Sequence, residues 1–97
     1  MIAAMAMEMI TVWLKIDEED VVRALQDAGE KLDGFDGEMA LDFSSVHRID
    51  TNAVRALEWF AHLADDSGVK VVLRGVNIGV YKVLKLVKLG SRFSFAS

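Results

Sequence analysis

Three times in 97 residues, a short run of β-branched and aromatic side chains gives way to a stretch whose apolar residues return at helical spacing. That alternation constrains the fold more than any other feature. Strands that alternate with helices over short connections pack as a sheet covered by helices, with right-handed crossovers. A chain of this length has room for one core, so residues 1–97 are expected to form a single domain.

The first strand is predicted over Glu8 to Ile16, where Met9-Ile10-Thr11-Val12-Trp13-Leu14-Lys15-Ile16 alternates in part. Asp17 stops it. The acidic run Asp17 to Asp20 suits the positive end of a helix dipole, and Val21, Val22, Leu25, Ala28 and Leu32 predict a helix over Glu18 to Leu32. Asp33-Gly34-Phe35-Asp36-Gly37 is a turn cluster, followed by a second strand over Glu38 to Phe43. After a loop from Ser44 to Ile49, the capping residues Asp50-Thr51-Asn52 precede the strongest helix of the sequence, Ala53 to Asp66. Ser67-Gly68 ends it, and Val69 to Arg74 reads as a central strand. Gly75-Val76-Asn77 turns the chain into a third helix with Val80, Val83, Leu84 and Val87 inside and Gly90 at its end. Arg92 to Ala96 is expected as an edge strand.

Composition narrows the function. A net charge of -4 and a pI near 5.0 leave no basic footprint for nucleic acid. Without cysteine there is no disulfide or thiol nucleophile, which fits a reducing compartment. The apolar Met1 to Met7 lacks a basic start and is too short to be a signal peptide or to span a bilayer, so the protein is expected in the cytoplasm with no direct membrane insertion. Met1, Met5, Met7 and Met9 are all candidate start residues, and residues 1–7 are expected to be disordered or a start-site extension.

Catalytic patterns are missing. His47 and His62 have no ligand spacing, Asp65-Asp66 point different ways on a helix, and Ser44-Ser45 near His47 has no orienting third group. Gly75 and Gly79 fit neither phosphate-binding glycine pattern. The chain is therefore expected to be no enzyme and to hold no cofactor or metal.

The succession Leu41-Asp42-Phe43-Ser44-Ser45-Val46, then Ile49-Asp50-Thr51-Asn52-Ala53-Val54, resembles the STAS family of bacterial anti-sigma-factor antagonists and sulfate-transporter tails. Ser67-Gly68, the strand to Leu73, Gly75-Val76-Asn77, Val80, Leu84 and Leu89-Gly90 continue it, so the resemblance spans roughly Met39 to Phe95. It implies an α/β fold with a mixed β-sheet of about four strands and about three helices packed mainly on one face. It also implies a functional hydroxyl directly after an aspartate at the start of the second helix, here Thr51. In anti-sigma-antagonist relatives a partner kinase phosphorylates this position, usually on serine; stressosome-type members and the STAS subunit of a bacterial lipid transporter resemble this chain in using Asp-Thr. Two departures stand out: the family commonly has a small pair followed by glycine where this chain has Asn52 and Ala53, and it opens with two strands where one is evident here.

The residues support a switch on their own terms. A phosphate on Thr51 would add about -1.5 to -2 charge at a helix start that favours anions, yet beside Asp50 it would repel an acidic or tightly packed apolar partner. The plainer reading is that Asp50 or Thr51 only caps the helix. The apolar stripe of the second helix is wider than one sheet face needs. Trp59 and Leu63 at its far edge are thus candidates for partner contact, or else pack under the first or third helix, and Val54, Arg55 and Glu58 of the same helix are expected to join them at a partner. Lys82, Lys85 and Lys88 on the third helix suit an acidic partner, lipid headgroups or a solvated face.

The resemblance implies a protein-binding module that engages an anti-sigma factor kinase through Asp50, Thr51, Asn52, Ala53 and the adjoining helix, released when Thr51 is phosphorylated. The alternative is an unmodified structural subunit of a membrane lipid-transport ATPase complex. A homodimer through strand pairing is also open, given the apolar start of the chain and its short edge strand.

Overall fold

The computed structural model describes residues 10–32 and 37–96. Four strands, β1 (Ile10–Lys15), β2 (Gly37–Asp42), β3 (Lys70–Arg74) and β4 (Ser94–Ala96), alternate with helices α1 (Val21–Glu30), α2 (Thr51–Ser67) and α3 (Ile78–Leu86). The sheet order is β1-β2-β3-β4. The expected four strands and three helices are present, and among the described residues all three pairings are parallel rather than mixed. Parallel pairing follows from the connections, because each helical crossover returns the chain to the same end of the sheet. Residues 1–7, read from the sequence as disordered or a start-site extension, lie outside the described part.

Register separates the two faces of the sheet. Met39, Leu41 and Phe43 from β2 and its extension, with Val71 and Leu73 from β3, enter one cluster with Leu25, Leu57, Phe60 and Leu84 from the three helices. Leu57, Phe60 and Leu84 are fully buried, and each such side chain contributes about 1.5–3 kcal/mol relative to exposure. Among the described residues, the opposite face carries exposed Thr11, Trp13, Lys15 and Lys70 and no helix. There the Arg74 guanidinium lies 4.6 Å from the centroid of the Trp13 ring. The two residues approach across β2 near its smallest side chain on that face, Ala40, which is buried.

Element ends depart from the sequence reading for local reasons. The first helix was expected to run unbroken from Glu18. Instead Asp17 accepts from the Glu19 amide and caps a 3-10 turn over Glu18–Asp20, and Asp20, with φ -151°, breaks the path and caps α1 through the Arg23 amide. Two aspartates that both favour capping split one acidic run into two starts. The second helix matches its signals: Asp50 caps it, and Gly68, at φ 70°, ends it in the left-handed conformation. α3 begins where Asn77 accepts from the Val80 amide, but it stops at Leu86. The residue at positive φ beyond it is Lys88 (65°), not the glycine at position 90. Leu89 is buried there and its amide reaches back to the Leu84 carbonyl, which holds Lys88 in place. The last strand covers Ser94–Ala96, shorter than expected, with Phe93 buried just before it.

Candidate functional site

Parallel strands bring the connections that follow β1, β2 and β3 to one end of the sheet. The β2–α2 connection is the central one, and it is held at several points. Asp42 accepts from the Ser44 amide at 2.9 Å, the Phe43 amide donates to the Arg74 carbonyl, and the Val46 amide donates to the Phe43 carbonyl. Phe43 and Val46 are buried, so the loop is anchored by apolar packing as well as by hydrogen bonds.

His47 then ties the loop to both neighbours. Its Nδ1 lies 3.0 Å from Glu18 Oε1 and its amide donates to Glu18 Oε2, from the turn after β1. Its carbonyl accepts from Asn77 Nδ2 at 3.1 Å, from the turn after β3. Asn77 thus caps α3 and clamps the β2–α2 loop with the same amide group. The hydrogen bonds from His47 hold the Glu18 carboxyl below its ordinary range. Those from Ser44 do the same for Asp42.

The loop delivers Asp50 to the start of α2, where its Oδ1 accepts from the Ala53 amide at 2.8 Å. The cap is Asp50. Thr51 occupies the first helical position and is exposed, as is Asn52, whereas Ala53 is buried against the core. Beside them a cleft of about 520 Å³ separates the start of α1 from the start of α2. Glu18, Glu19, Asp20 and Asp50 make it acidic, and Arg48 stands among them.

Along α2 the partner-binding candidates divide. Arg55 and Glu58 are exposed on the outward side with Thr51. Trp59 is 42% exposed and rests on α1: a Cβ added to Gly29 would sit 2.5 Å from its Cη2. Both sequence readings of Trp59 therefore hold at once, since one part of the indole packs and the rest faces solvent. Asn52, Arg55 and Trp59 share a groove with Val22 and Gln26 of α1. Leu63 is half-buried over Gly29, and Val54 is half-buried against the core; neither is brought into that groove. Glu18, His47 and Asn77 were not singled out as site residues from the sequence. Nothing local marks residues about thirty positions apart as partners.

The family model for the STAS domain matches residues 3–97. The chain belongs to the STAS domain family. Among curated proteins none matches at significant similarity. The fold of this STAS domain is shared with a crystal structure of a candidate anti-sigma factor antagonist from Thermotoga maritima, at 21% identity and a TM-score of 0.64, covering 90% of this chain and 73% of that one. An NMR structure of the same Thermotoga protein gives a TM-score of 0.71 at 20% identity, covering 90% and 74%. Among the described residues of this STAS domain, no helix is long and apolar enough to cross a membrane.

Proposed function

We propose that this STAS domain is a protein-binding module of the anti-sigma-factor-antagonist type, which engages an anti-sigma kinase and is released when Thr51 is phosphorylated. The observation that carries the reading is the division of labour at the start of α2. Asp50 supplies the helix cap, which leaves the exposed Thr51 hydroxyl without that duty. Phosphate there sits at a favourable helix terminus, yet it adds charge beside an already acidic cleft, so the surface changes while the fold does not. The clamp from Glu18 and Asn77 keeps the loop in one shape, so the modification acts on charge rather than on loop order. Arg55, Glu58 and Trp59 extend the contact surface along α2, with Val54 and Leu63 supporting it from its flanks.

Affinity capture of the tagged protein from its native cells, with intact-mass measurement, tests this. A kinase-like partner and a phosphate-sized mass increment absent from Thr51→Ala are expected, together with loss of binding in Thr51→Asp. Wild-type affinity in Thr51→Asp would refute the switch. A co-purifying transporter ATPase subunit with unmodified Thr51 would favour the structural-subunit alternative.

A further inference from the structure

The side of α3 that faces away from the core is not an ordinary polar surface. Val80 and Leu84 are buried, and at about 100° per residue the opposite line of the helix carries Ile78, Lys82 and Leu86, with Lys85 beside them. Ile78 is 73% exposed and Leu86 82%, more than any other large hydrophobic residue among those described. Two aliphatic side chains thus project from the solvent pole of a short helix, each next to a lysine.

Charge along the chain is strongly divided. All 15 carboxylates lie at or before Asp66, while Lys70, Arg74, Lys82, Lys85, Lys88 and Arg92 follow it. Arg92 is paired with Asp65, and the Lys85 ammonium lies 5.7 Å from the Tyr81 ring centroid. Among the described residues no carboxylate comes within ion-pair distance of Lys82, Lys85 or Lys88.

We propose that this face of α3 docks the domain onto an anionic lipid bilayer surface. Lysines alone would suit any acidic partner. The outermost points, however, are Ile78 and Leu86, which gain by entering the boundary between headgroups and acyl chains while the flexible lysine stems carry their ammonium groups to the phosphates. The helix then lies in the plane of the membrane and no spanning segment is needed. The carboxylates of the acidic cleft come from the turn before α1 and from the α2 cap, and α3 itself carries none. This docking does not depend on modification of Thr51.

The test is co-sedimentation of the full chain with vesicles of phosphatidylcholine plus phosphatidylglycerol, against vesicles of phosphatidylcholine alone. Binding to the anionic vesicles that weakens with added salt is expected. Lys82→Gln is expected to lower the partition about five-fold, and Leu86→Ser by a similar factor, with unchanged circular dichroism because both side chains are exposed. Absence of binding to anionic vesicles overturns the proposal, as does binding unaffected by Ile78→Ser and Leu86→Ser together. If the chain ignores vesicles but binds soluble polyglutamate through Lys82, the surface serves an acidic protein and the bilayer proposal is wrong.

Discussion

Gly29→Ala should destabilise this domain even though it replaces the worse helix former with the best. In an open helix interior the change would stabilise by about 1 kcal/mol. Here the new methyl would lie 2.5 Å from Trp59 Cη2, 2.9 Å from Cζ3 and 3.2 Å from Leu63 Cδ1, all closer than ordinary contact. Forcing extra volume into a packed contact costs about 1–3 kcal/mol, so the net effect is a loss of up to about 2 kcal/mol. Removing the obstacle should reverse the sign. In a Trp59→Ala background the indole is gone, Leu63 need yield only a few tenths of an ångström, and Gly29→Ala should stabilise by up to about 1 kcal/mol. Urea unfolding of the four proteins, followed by far-ultraviolet circular dichroism, gives the coupling directly. A coupling of about 1–3 kcal/mol is expected. Equal destabilisation of both backgrounds would show that the indole does not rest on Gly29. The same contact bears on recognition: Gly29→Ala displaces Trp59, so partner affinity should fall in step with stability.

Other substitutions probe the ends of the elements and the loop clamp. Asp50→Ala removes the hydrogen bond to the Ala53 amide and should cost about 1 kcal/mol in chemical unfolding. Lys88→Gly relieves a non-glycine residue at φ 65° and should raise stability by about 1 kcal/mol, measured the same way, while weakening sedimentation with anionic vesicles. Glu18 is held below its ordinary carboxyl range by His47, so its contribution is present above the unfolded value and disappears as pH falls through the lowered one. Glu18→Gln should therefore flatten the acid side of a stability–pH profile and leave its neutral region less stable; an unchanged acid limb would contradict the clamp. Asn77→Ala removes the α3 cap and the bond to the His47 carbonyl together, and its loss should exceed that of Asp50→Ala in the same unfolding assay.

Much of the fold was legible because its signals are local. The cap at Asp50, the stop at Ser67-Gly68 and the inner stripe of Val80 and Leu84 each lie within a turn or two of what they control. The Asp17 to Asp20 run was ambiguous because each of its members can cap, and only the path of the backbone decides which do. Lys88 was hidden for a different reason: a glycine stood two residues further on, and the left-handed turn is enforced instead by burial of Leu89. At the site, Asp50 and Thr51 could be named from their succession, but the bonds joining His47 to Glu18 and Asn77 exist only once the sheet has brought three loops together. Trp59 fell between two readings because solvent exposure and helix packing are both properties of one large ring.

The uniform direction of the strands also bears on how the molecule assembles. Ile10 meets Gly37, Glu38 meets Lys70, and Val72 meets Ser94, so every pairing in the described sheet joins consecutive strands across a helical crossover. Each ladder waits on closure of a long loop, a topology associated with folding slower than that of helical bundles of equal size. During synthesis Gly37–Asp42 leaves the ribosome well before Lys70–Arg74, with Met39, Ala40 and Leu41 set between charged neighbours Glu38 and Asp42. Those flanking carboxylates suit a gatekeeping role for a nascent strand whose second sheet neighbour, β3, is not yet made.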